Sequence, residues 1–170
     1  MEFTEVIKER YSCKKFDGRA VEKEQLEAIL EAGRLAPTAK NLQEQRVYVV
    51  QSEEGLAKID KLTPCRYNAG TVLLVAFDRE NVFVYPGGKR DSGIEDAAIV
   101  ATHMLLAAKN AGVESCWLNK FDPEEAAREF GLPENEEVLM LMDLGYPAEG
   151  AAPLPPHSSR RELSETVQYL

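Results

Sequence analysis

Residues 91–122 read DSGIEDAAIVATHMLLAAKNAGVESCWLNKFD. Within them Ala97, Val100, Ala101, Met104, Leu105 and Ala108 recur at helical spacing, and Gly112 stands just past the last turn. The spacing predicts the longest helix of the chain, from Ser92 or Gly93 to Asn110. Its many alanines predict close contact with another helix, in the same chain or in a second copy. SCWL at 115–118 then reads as a short strand. Next, FDPEEAAREFGLP forms a well-punctuated helix, with Asp122 as N-cap, Pro123 in the first position, Glu125 in the third and Gly131 as C-cap. EVLMLMDLG at 137–145 supplies another strand.

Upstream, TVLLVAF at 71–77 is a continuous apolar run of strand length, and RVYVVQ at 46–51 is a second. Ser52 is placed to cap a helix over Glu53–Lys61. Leu26, Ile29 and Leu30 predict a helix from about Glu22 to Leu35, ended by Pro37. Phe3, Val6 and Ile7 open the chain as a short amphipathic helix ending near Arg10. FDGRA at 16–20 is a turn, PTAKNLQ at 37–43 a loop, and YPGGKRDS at 85–92 a flexible hairpin or connection. The tail AEGAAPLPPHSS is Pro- and Ala-rich and predicts no regular element. Interspersed helices and strands predict an α/β or α+β domain with a central sheet of four or five strands, whose order the pattern does not fix.

At 170 residues, with no internal repeat or linker, a single domain over 1–170 is expected. The net charge of -9 repels a polyphosphate over most of the surface, which argues against nucleic acid. No apolar run reaches transmembrane length. The opening MEFTEVIKER is charged where a signal peptide is apolar, so a cytoplasmic protein with no membrane partner is expected. Cys13, Cys65 and Cys116 make neither a disulfide framework nor a metal pair.

Standard catalytic constellations are missing. HExxH, GxSxG, a P-loop and GxGxxG do not occur. His103 lies inside the long helix, where a packed or hydrogen-bonded role is expected; His157 lies in the tail, expected exposed. Glu95 and Asp96 read as a solvated helix face. Cationic neighbours would lower the pKa of the Cys13 thiol, but no histidine stands near it as a base.

One stretch remains: RYSCKKF at 10–16, cations and a hydroxyl crowded together in an acidic chain. Cations at a helix C-terminus are favoured by the macrodipole without any ligand. Alternatively, in extended backbone, Arg10, Ser12 and Lys14 share one face and form a clamp for a phosphate and its polar chain, with Arg160-Arg161 available to complete it.

These segments together resemble the nitroreductase family of FMN-dependent oxidoreductases over nearly the whole chain. RYSCKKF fits R-x-S-x-[RK]-x-[FY], and PTAKNLQ fits P-[ST]-x-x-N-x-Q. The central helix followed by GVESCW, the strand ending in Gly-Tyr-Pro at 145–147, and the C-terminal SRRELSETV complete the likeness. The resemblance implies an α+β fold with a mixed or antiparallel central sheet flanked by helices, in a homodimer whose C-terminal extension wraps the partner and whose core includes the long helix. It implies FMN at the subunit interface. Arg10, Tyr11 and Ser12 would hold the phosphate and ribityl chain, with Lys14 near the pyrimidine edge. Pro37, Thr38, Ala39, Asn41 and Gln43 would come from the other subunit. The backbone at Trp117, Leu118, Asn119 and Lys120 would face the flavin, and Arg160 or Arg161 would return to the phosphate.

The activity implied is ping-pong hydride transfer from NADH or NADPH, through flavin N5, to an electron acceptor such as a nitroaromatic or quinone. The flavin carries the chemistry, so no protein acid or base is required. Related FMN chemistries (dehalogenation, flavin fragmentation) and a non-catalytic FMN-binding protein are the alternatives. The sequence departs from the family pattern in three places. Glu44-Gln45 stands where Pro-Trp is frequent, residues 78–92 are short where many relatives carry a longer insertion, and Lys14 replaces a frequent arginine, keeping charge but not the bidentate fork.

Overall fold

The computed structural model describes all 170 residues. Four strands form one antiparallel sheet in the order β1-β2-β4-β3: β1 (Gln45–Val50), β2 (Thr71–Asp78), β3 (Glu114–Leu118) and β4 (Glu136–Gly145). Register is set by pairs such as Val47 with Val75, Leu74 with Leu141 and Cys116 with Asp143, with one irregularity between Val75 and Ala76. β2 is central, and its apolar run is explained by burial on both faces. On one face Leu73, Val75 and Phe77 join Met140, Met142 and Leu144 beneath α2 (Lys23–Arg34) and α4 (Gly93–Asn110). On the other, Val72, Leu74 and Ala76 meet Leu118, Leu141 and Ile59 beneath α3 (Glu53–Leu62) and α5 (Pro123–Phe130). The α+β class is as expected.

Helix ends follow the sequence signals. Ser52 accepts from the Gly55 amide at 3.1 Å; Asp122 accepts from Glu124 and Glu125 at 2.9 and 3.1 Å. Gly131 closes α5 in the left-handed region at φ 64°, where a side chain is strained. The small-residue stripe of α4 does make close helix contact, but within the chain. Ala97, Val100, Ala101, Met104 and Ala108 are fully buried, and a Cβ on Gly33 of α2 would stand 2.8 Å from Met104 Cγ. The stripe is therefore intramolecular core; the face α4 leaves outward carries Ile94, Ile99 and His103.

The connection at 83–92 is a hairpin, one of the two forms expected, with the Tyr85 amide donating to the Arg90 carbonyl at 2.9 Å. One detail differs from expectation. The tail contains a 3-10 turn over Pro155–Ser158, followed by the short α6 (Leu163–Thr166). No helix is long and apolar enough to cross a membrane.

Candidate functional site

Two irregular segments carry most of the candidate residues. The first leaves α1 (Phe3–Glu9) at Arg10, whose backbone is already extended at φ -62° and ψ 128°. It runs along the free edge of β3: Ser12 bridges Ser115 in parallel, and the Cys13 amide donates to the Ser115 carbonyl at 2.9 Å. Side chains alternate as extended backbone requires. Tyr11, Cys13 and Phe16 pack inward with Ala69, while Ser12 and Lys14 face out.

That outward face is one wall of a cavity of about 380 Å³, within the range of small-molecule sites. Arg10, Ser12 and Lys14 stand on this wall with the edge of Tyr11. Trp117 comes from β3, with its indole N–H fixed by Asn119 Oδ1 at 2.8 Å. The tail closes the other side with His157 and Arg160, and Leu154 and Pro156 add apolar surface. No carboxylate lines it. The ion pairs of the chain lie elsewhere, as at Lys109–Glu114 and Arg66–Asp60. Arg10 has no side-chain partner. The only one for Lys14 is the Tyr67 ring, 5.9 Å from its centroid. Arg160 uses Nη1 on the carbonyls of His157 and Ser159, leaving the rest of its fork free. Convergent cations without counter-charge, in an acidic chain, fit an anionic group.

A larger depression of about 1150 Å³ lies between α5 and the start of β4, far from these residues in the sheet. Its cations are engaged, Arg79 by the Glu134 carbonyl and Arg128 by Glu124, so it offers no comparable free charge.

The second segment runs from Ala36 to Glu44. Lys40, Asn41 and Gln43 adopt φ of 51°, 56° and 54°, a region that Asn tolerates and the other two rarely enter. The turn is locked from within: Thr38 Oγ accepts from the Gln43 amide at 3.1 Å. It is locked from outside by Asp96 of α4, whose two oxygens accept from the Ala39 amide at 3.0 and 3.1 Å. Asp96 is thus buried, not the solvated residue its helix position implied; Glu95 instead accepts from the Tyr85 hydroxyl. None of Pro37, Thr38, Ala39, Asn41 and Gln43 lines the cavity of their own chain.

Other predicted positions sort similarly. Leu118 is buried on the α3/α5 side, Asn119 and Lys120 follow it exposed, and Arg161 lies exposed outside the cavity. His103 bonds the Ile99 carbonyl at 2.8 Å, as expected of a helix residue. The Cys13 expectation is overturned, because burial pushes its thiol up, not down. Cys116 lines the cavity yet is pushed up to about 12 by burial and by Asp143. Asp143 is itself fully buried with neither oxygen bonded, and burial pushes it up to about 9.

Sequence reasoning missed Cys116, Leu154, Pro156 and His157 as lining, and Glu44 and Asp96 as anchors. The Pro-rich run before Arg160 was the one available signal, since prolines can hold a tail in a fixed path.

An antiparallel sheet with helices on both faces carries, at its edge strand, a cavity lined by cations and no carboxylate, whose charge fits an anionic group. The chain belongs to the nitroreductase family, whose profile matches residues 7–68 and 64–146. It is 38% identical to a nitroreductase family protein of known structure from Clostridium difficile 630, with a TM-score of 0.92 over 99% of this chain and 98% of that one. It is 33% identical over 158 residues to an Archaeoglobus fulgidus protein provisionally named NADH dehydrogenase/NAD(P)H nitroreductase, covering 87% of each. A structure from Exiguobacterium sibiricum 255-15, solved in complex with FMN, shares the fold at TM-score 0.86 and 22% identity over 100% and 98% of the chains.

Proposed function

We propose that this protein is a cytoplasmic FMN-dependent oxidoreductase that takes reducing equivalents from NADH or NADPH and passes them to a small-molecule acceptor. The observation that carries this reading is the convergence of Arg10, Ser12, Lys14 and Arg160 on one cavity with no carboxylate among them. Arg10 and the free part of the Arg160 guanidinium would neutralise the cofactor phosphate through charge-assisted hydrogen bonds, with the Ser12 hydroxyl beside them. Lys14, two residues along the same face, would set positive potential where electron density accumulates. Trp117, oriented by Asn119, would form a flat wall. When bound, FMN supplies hydride acceptance and delivery, in a ping-pong exchange between nicotinamide and an acceptor such as a nitroaromatic or quinone. The residues of this chain then bind, orient and tune charge; none needs to transfer a proton.

The loop bearing Pro37, Thr38, Ala39, Asn41 and Gln43 does not line the cavity of its own chain, which supports a homodimer in which each chain covers the cofactor of the other. Exposed apolar side chains support the same assembly: Phe3 and Ile7 on α1, Ile94 and Ile99 on α4, and Leu163, Val167 and Tyr169 in the tail. Steady-state kinetics with varied nicotinamide and a quinone test the reading. Parallel double-reciprocal lines and an FMN requirement are expected. Turnover that persists after complete flavin removal contradicts it.

A further inference from the structure

Glu44 is fully buried at the end of the loop that carries Pro37 to Gln43, directly before β1. Its Oε1 accepts from the Ser92 hydroxyl at 3.3 Å, while Oε2 has no ordinary donor. The group facing it is Asp96, 3% exposed, one turn into α4 from Ser92. Two carboxylates cannot both ionise in such a place, and two acceptors cannot bond each other without a proton between them. A single proton on Glu44, donated to Asp96, satisfies the otherwise orphaned oxygen. Asp96 keeps both oxygens as acceptors for the Ala39 amide.

We propose that Glu44 and Asp96 share one proton, and that this pair is the clasp holding the 38–43 loop in its left-handed, cofactor-covering shape. The clasp joins the loop at both ends: Asp96 grips Ala39, and Glu44 is the residue through which the loop enters the sheet, its carbonyl accepting from the Asp78 amide at 2.9 Å. Other charged groups nearby are committed elsewhere. Arg46 of β1 pairs with Asp78 and Glu136, and Lys40 lies over the Phe83 ring. Asp91 accepts from the Gly93 amide, and Glu95 of α4 from Tyr85. No cation replaces the proton when it leaves. Burial first, and Asp96 second, push Glu44 up to about 7 from 4.5. A folded value raised above the unfolded one means the proton's contribution is complete below about 4.5 and is lost as pH rises through about 7. Glu44 and Asp96 act on the cofactor only through the loop, so they are positioning residues, and that part of the proposal rests on the FMN reading above.

The test uses Glu44→Gln, which keeps shape and places a permanent donor toward Asp96, beside Asp96→Asn, which keeps an acceptor for Ala39 and removes the partner charge. Thermal melts of the FMN-free full chain are recorded from pH 5 to 9, with FMN affinity measured by fluorescence quenching over the same range. In the wild type, the fall in melting temperature that Glu44 causes is expected between pH 5 and about 7, and the FMN Kd is expected to rise about tenfold between pH 6 and 9. In Glu44→Gln both should vary much less, with affinity at pH 6 like that of the wild type. Wild-type and Glu44→Gln melting curves that keep the same pH slope overturn the shared proton. A pH-flat FMN Kd in wild type, alongside the expected melting behaviour, overturns the link to the cofactor loop. Absence of FMN binding at every pH refutes the cofactor reading instead, and the melts still decide the proton. Should a variant fail to fold, a carbon-13 titration of the wild-type carboxyls decides: both ionised at pH 6 refutes the pair.

Discussion

The two segments of the site are both irregular backbone, yet they are built on opposite electrostatic plans. Residues 10–16 lie along a strand edge, bury Tyr11 and Cys13, and present unpaired cations to a cavity. Residues 38–44 hold left-handed residues in place with buried acids and an internal hydroxyl acceptor, and carry no unpaired cation cluster. The first is stabilised by apolar burial and so can leave its charges free for a ligand. The second must satisfy its polar groups internally, and does so with long-range acceptors from α4. On the proposed reading, ligand charge recognition belongs to the first segment, and shape to the second.

Removing the charges should break the contrast most visibly. Arg10→Ala combined with Arg160→Ala is expected to raise the FMN Kd by about a thousandfold, at about 2 kcal/mol for each charge-assisted contact, with little change in melting temperature. Fluorescence titration and a melt of the same sample check both halves. Lys14→Ala should retain more flavin but slow its anaerobic bleaching by NADH or NADPH about tenfold, read by stopped-flow absorbance.

Asp143 sharpens the comparison, being a buried acid behind the first segment that no partner satisfies. Its folded value of about 9 lies far above 3.8, so its protonated contribution is complete below about 3.8 and is lost as pH rises through about 9. Asp143→Asn should flatten the alkaline side of the stability profile and stabilise the protein by about 1–3 kcal/mol near pH 9, by denaturant melts. The smallest effect is expected at the second segment. Thr38→Ala removes one acceptor for the Gln43 amide and should cost about 1 kcal/mol, lowering FMN affinity a few-fold at most.

Much of this was legible in the sequence because it rests on local rules. The caps at Ser52 and Asp122, the left-handed Gly131 and the buried run at 71–77 each depend on neighbours within a few positions. Alternation in RYSCKKF correctly set Arg10, Ser12 and Lys14 on one face. Strand order was not legible, because antiparallel β2 and β4 pair residues as distant in the chain as Thr71 and Leu144. Nor was the clasp: Ala39 meets Asp96 across 57 positions, and a solvated face and a buried anchor look alike at helix N-terminal acids. A still longer separation hid His157, which reaches the cavity only because the proline-rich tail returns to Tyr11.

The claim that free cations on residues 10–14 hold the cofactor is tested most directly by the visible absorption spectra of purified wild type and the Arg10→Ala/Lys14→Ala double variant at equal protein concentration. A yellow wild type that bleaches with NADH or NADPH, beside a folded but nearly colourless variant, is the predicted result. Equal flavin content in the two proteins would contradict it.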